Sequence, residues 1–86
     1  MTTTTATITY LTEAAYWKRY NALSARASKA EGRWARWNTE VHRLPYGTSA
    51  SNRAFDARDN ARSALVDASN ALYRFERDFA IRPAAR

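Results

Sequence analysis

Arg33-Trp34-Ala35-Arg36-Trp37 places two guanidinium groups and two indoles within five residues. A guanidinium is a rigid fork of donors that matches a carboxylate or a phosphate. An indole face can stack on an unpaired nucleic-acid base. This stretch could therefore recognise anions, read single-stranded bases, or do neither if its rings are turned into a core. The direction of each side chain decides, and that depends on the element that carries it.

Other reactive groups are sparse. The chain has one histidine, His42, no cysteine, and eight carboxylates scattered along 86 residues. No nucleophile, base and orienting acid occur together, and one imidazole cannot hold a metal alone. Asp56 and Asp59 stand one turn apart near Arg53 and Arg62, which reads as charge pairing along a helix. Ser49 and Ser51 read as helix-capping residues. Two glycines are too few for a phosphate-cradling loop. The expectation is a non-enzymatic protein with no cofactor and no metal.

The formal net charge is +6, and twelve of the fourteen basic residues are arginine. Such a balance favours an anionic partner, either an acidic protein surface or nucleic acid. No apolar run approaches the ~20 residues of a membrane span. The start, Met1-Thr2-Thr3-Thr4-Thr5, lacks the charged and apolar regions of a signal peptide. The expected location is cytoplasmic.

The elements that must position these groups follow from breakers and periodicity. Pro45 and Gly47 form the strongest breaker cluster, and Pro83 marks the end of the second segment. In the first segment, Tyr16, Tyr20, Leu23, Ala27, Ala30, Trp34, Trp37, Val41 and Leu44 repeat at alternating spacings of four and three. In the second, Ala54, Ala61, Leu65, Ala68, Leu72, Phe75 and Phe79 do the same, with Arg58 interrupting and Ala57 filling the gap. Both are heptad seams. The prediction is all-α: an antiparallel two-helix hairpin close to a coiled coil, with helices over 12–44 and 50–81 and a turn at 45–49. Residues 1–11 are expected to form a flexible threonine-rich segment, the alternation at Ala6, Ile8 and Tyr10 leaving a short strand or a fold-back as alternatives, and residues 83–86 a tail. Thr9 or Thr12 can cap the first helix.

Laying the seams side by side brings Trp34 opposite Ala61, Tyr20 opposite Phe75 and Tyr16 opposite Phe79. Glu31 then faces Arg62, and Arg19 faces Asp78. The tryptophans are thereby assigned to the core. What remains outside falls on two faces. Arg19, Arg26, Lys29, Arg33, Arg36 and Arg43 line one side of the first helix over roughly 36 Å, a candidate surface for an acidic protein partner. Trp17, Phe55, Val66 and Tyr73 lie on the opposite flank. A two-helix hairpin has no second layer to cover such a flank, so it is a candidate face for a partner or for a homodimer, assembled as a four-helix bundle.

Hairpins of this length resemble, in architecture, the WXG100 proteins that some bacteria secrete as dimers. The Trp-x-Gly turn motif of that family is absent, since the turn here reads Leu44-Pro45-Tyr46-Gly47. Short basic helical proteins without a catalytic set also resemble, as a class, accessory proteins of phages, some of which inhibit host defence complexes. The leading expectation is a helical binding protein that occupies the surface of a partner macromolecule, in the manner of such an inhibitor or accessory protein. The alternatives are a sequence-independent nucleic-acid binder using the basic face, and a structural or secreted hairpin of the WXG100 kind.

Overall fold

A computed structural model describes residues 7–84. Two helices account for most of them: α1, Glu13–Arg43, and α2, Ser49–Asp78. Two short strands flank the pair: β1, Thr9–Leu11, and β2, Phe79–Ile81. Contacts tie the start of α1 to the end of α2, where the rings of Tyr16 and Phe75 lie 5.0 Å apart. They also tie the end of α1 to the start of α2, where Arg58 donates to the Asn38 side chain at 3.3 Å. This is the contact pattern of a helical hairpin, one layer and 12 Å thick by its Cα atoms.

Local signals set the helix ends. The Thr12 hydroxyl accepts from the Ala15 amide at 3.2 Å and opens α1, while Glu13 in the first turn suits the helix dipole. Gly47 adopts φ +84, a left-handed value that a side chain disfavours, and lets the chain reverse before α2. The residue that caps α2 is Thr48, whose hydroxyl accepts from the Ser51 amide at 3.0 Å and donates to the Pro45 carbonyl at 3.0 Å. Ser49 and Ser51 are not the caps; Ser51 is instead buried under the turn.

Packing follows the heptad on α2 most closely. Ala54, Ala61, Ala68 and Phe75 are buried at intervals of seven, with Ala30 and Val41 opposite on α1. Small side chains let the helices approach closely, but they also leave a thin core. Phe75, 4% exposed, is the one large side chain buried to that depth among the described residues, apart from Val41 at the boundary. Trp34 and Trp37 are half-buried rather than enclosed, because a single layer covers only one side of each indole.

The second helix stops three residues short of the expected end. Phe79 leaves it at φ −127 and ψ 146, and Phe79–Ile81 pairs in parallel with Thr9–Leu11, Tyr10 lying beside Ala80. The Arg82 amide extends this ladder to the Leu11 carbonyl at 2.7 Å. Residues 9–11 are thus a strand rather than part of a flexible segment; the rest of the threonine run, residues 1–6, lies outside the described residues, as do 85–86. Phe and Ile favour extended backbone, and Pro83 stands against helix continuing through Arg82. Parallel strands need a long crossover, and here the whole hairpin supplies it.

Leaving the helix moves Phe79. It stacks on Phe75 at 5.0 Å, and Tyr16 meets Phe75 in place of the expected Phe79.

Candidate binding faces

The basic residues predicted on α1 are all exposed: Arg19, Arg26, Lys29, Arg33, Arg36 and Arg43. α1 carries seven bases against three acids, whereas α2 carries five of each. The charge excess within the helices therefore sits on α1. The seventh base is Lys18, exposed and eleven residues before Lys29, a spacing that returns to the same side of a helix. It belongs to the stripe and was legible from that spacing.

The six predicted bases do not act alike. Arg43 is tied to Glu40 by two hydrogen bonds, the shorter 2.7 Å. The Arg43 guanidinium holds the Glu40 carboxyl below its ordinary value. Arg19 was expected to meet Asp78; instead its guanidinium lies over the ring of Phe79 at 4.7 Å and of Phe75 at 5.6 Å. Asp78 is taken by Arg77 at 2.8 Å, which lowers the Asp78 carboxyl. Arg36 rests beside the Trp37 ring, 5.8 Å from its centroid. Glu31 and Arg62 form no ion pair either. Among the described residues the ion pairs are Glu40–Arg43 and Arg77–Asp78, each local in sequence. Pairs between neighbours on one chain segment need less ordering than pairs across the hairpin.

Among the described residues, Arg26, Lys29 and Arg33 have no carboxylate partner. Together with Ala30 and with Ala64 of α2 they line an open groove of about 190 Å³. The floor is alanine, so the cationic side chains rise from a shallow trough between the helices. Sequence reasoning found the cations but not the floor. Ala64 belongs to the column Ala57, Ala64, Ala71, all half-buried, and only the packing shows that this column borders the basic face.

The opposite flank holds the other predicted set. Trp17 is 44% exposed, Val66 49% and Tyr73 64%, while Phe55 is half-buried under the Arg58 guanidinium, 5.1 Å from its ring centroid. Trp17 also packs edge-on against Tyr16 at 5.2 Å and Tyr20 at 5.3 Å. A second hollow of about 440 Å³ opens beside Phe55, bordered by Tyr46, Gly47, Asn52 and Asp56. Trp17 and Tyr73 lie toward the open end of the hairpin, Phe55 toward the turn.

His42 faces solvent, and its Nδ1–H donates to the Asn38 carbonyl at 2.7 Å, which satisfies an acceptor near the end of α1. Among the described residues no three metal-ligating side chains cluster, and no helix is long and apolar enough to cross a membrane. Comparison of the chain with family models, curated proteins and solved structures finds no match.

Proposed function

We propose that this chain is a non-enzymatic binding protein whose basic α1 face docks on an acidic surface of a partner protein, in the manner of a small inhibitor or accessory protein. The observation that carries this reading is the trio Arg26, Lys29 and Arg33, exposed, without carboxylate partners among the described residues, and rimming a groove floored by alanine. Unpaired guanidinium groups on a rigid helix donate bidentate bonds to carboxylates with little reorganisation. The field of α1 would steer the encounter. Self-association through the opposite face is part of the same reading, since it leaves a basic face outward on each copy.

Single-strand base stacking draws less support. Trp34 and Trp37 are partly covered by α2, so the ring faces that stacking needs are not freely presented.

The test uses two defined probes at rising salt: a glutamate-rich helical peptide and a duplex oligonucleotide. The reading expects peptide binding that falls at least tenfold on combining Arg26→Glu, Lys29→Glu and Arg33→Glu. Tighter binding to the duplex, with a salt slope near the number of phosphates neutralised, would replace the acidic-protein reading with nucleic-acid binding.

A further inference from the structure

We infer that the flank bearing Phe55, Val66 and Tyr73 is the contact face of a two-fold symmetric dimer, and that its occupant is a second copy of this chain. The inference refines the self-association in the proposed function by assigning its surface and symmetry. It does not depend on what the basic face binds.

Charge selects the occupant. A second copy carries the same net +6, so it cannot approach the basic face of α1 without stacking like charges. Around Phe55, Val66 and Tyr73 both signs occur in equal number: Asp56 borders the hollow, Arg58 lies over the Phe55 ring, Asp59 and Arg62 stand one turn from Phe55 and Val66, and Glu76 and Arg77 one turn from Tyr73. Arg58 is already laid over Phe55 and bonded to Asn38. An acidic partner would be drawn to the other side of the hairpin. The charge-balanced side is where a like-charged copy can come close.

Area agrees. The hairpin face is about 46 Å long by about 20 Å wide, from 31 residues of helix and ordinary interhelical spacing. That is on the order of 900 Å², close to the roughly 800 Å² per partner of a stable interface.

The positions along α2 fit a two-fold axis. Phe55 and Tyr73 stand nine residues before and after Ala64, near the middle of the helix, so each lies about 13 Å from that midpoint. An axis passing there, perpendicular to α2, brings Tyr73 of each copy against Phe55 of the other. The place it reaches is the hollow of about 440 Å³ beside Phe55. Val66, near the axis, meets the centre of the other α2. A face whose exposed ring and empty hollow exchange places under one rotation is complementary to itself.

Light scattering and sedimentation on the intact chain at high micromolar concentration test this, with two variants and one cross-link. The expected result is twice the chain mass of 9.8 kDa, return to the single mass with Val66→Glu, and no change with Arg33→Glu. Introducing one cysteine by Val66→Cys should yield a disulfide-linked dimer on mild oxidation, while Arg36→Cys should not, which decides the matter if Val66→Glu fails to fold. A single mass at all concentrations would overturn both the self-association and this face. A double mass with no Val66→Cys cross-link, or one lost with Arg33→Glu, would overturn the face alone.

Discussion

Replacing Phe75 with alanine should remove a large share of the stability of the hairpin. Phe75 is 4% exposed, and the rest of the deepest core is mostly alanine. Its ring meets Tyr16 and Phe79, each at 5.0 Å between centroids, and lies under the Arg19 guanidinium. Burial of a phenylalanine contributes about 1.5–3 kcal/mol, and each aromatic pair adds roughly 0.5–1.5 kcal/mol beyond the area. The neighbours can partly collapse into the gap, so the expected loss is about 3–5 kcal/mol, the usual range for this truncation. Small domains have only ~5–15 kcal/mol in total. Urea unfolding followed by circular dichroism, at matched protein concentration, gives the difference. Two further truncations calibrate it. Half-buried Trp34→Ala should cost less, about 1.5–3 kcal/mol, and Tyr46→Ala, 92% exposed in the turn, should stay within roughly 0.5 kcal/mol. A loss below about 1 kcal/mol at Phe75, or a larger loss at Tyr46 than at Phe75, would refute the core described here.

Other consequences are as direct. Thr48→Ala removes the acceptor for the Ser51 amide and should lower stability by about 1 kcal/mol in the same unfolding assay; Ser49→Ala, outside the cap, should have little effect. Arg82→Pro deletes the amide that donates to Leu11 and should release the strand pair, seen as faster hydrogen exchange at residues 9–11 and 79–81 with the middle of α1 still protected. The Glu40 carboxyl is held low by the Arg43 hydrogen bond, so its contribution is present above the ordinary carboxylate pKa and is lost as pH falls through the lowered one. Proton-detected titration should find that midpoint moving upward in Arg43→Gln; an unmoved midpoint would contradict the pairing.

Periodicity carried the helices. The seven-residue recurrence of Ala54, Ala61, Ala68 and Phe75 is visible in the chain, and so is the breaker at Pro45 and Gly47, because both are local or regular signals. The strand pair was not legible in that way. Alternation at Ala6, Ile8 and Tyr10 allows a short strand at the start but names no partner, and the pairing joins positions separated by the whole hairpin. The extended turn at Phe79 then changed which ring Tyr16 meets. Ion pairs were misjudged for a related reason: Arg77 reaches its neighbour Asp78 at little ordering cost, so Arg19 was left to lie over aromatic rings. For the candidate faces, helical spacing placed every cation of the stripe that it named on the exposed side, and Lys18 follows from the same spacing. The alanine floor at Ala64 depends on how the helices pack, which spacing within one helix does not specify.

The central claim is that Arg26, Lys29 and Arg33 hold an acidic protein partner. Its most direct test is quantitative capture from nuclease-treated extract of the source cells, comparing the native chain with one carrying Arg26→Glu, Lys29→Glu and Arg33→Glu. The expected result is a protein enriched on the native chain, lost from the reversed one, and binding the purified native chain through an acidic surface with salt-sensitive affinity. Equal enrichment on both chains, or no protein enriched on the native chain from the nuclease-treated extract, would contradict it.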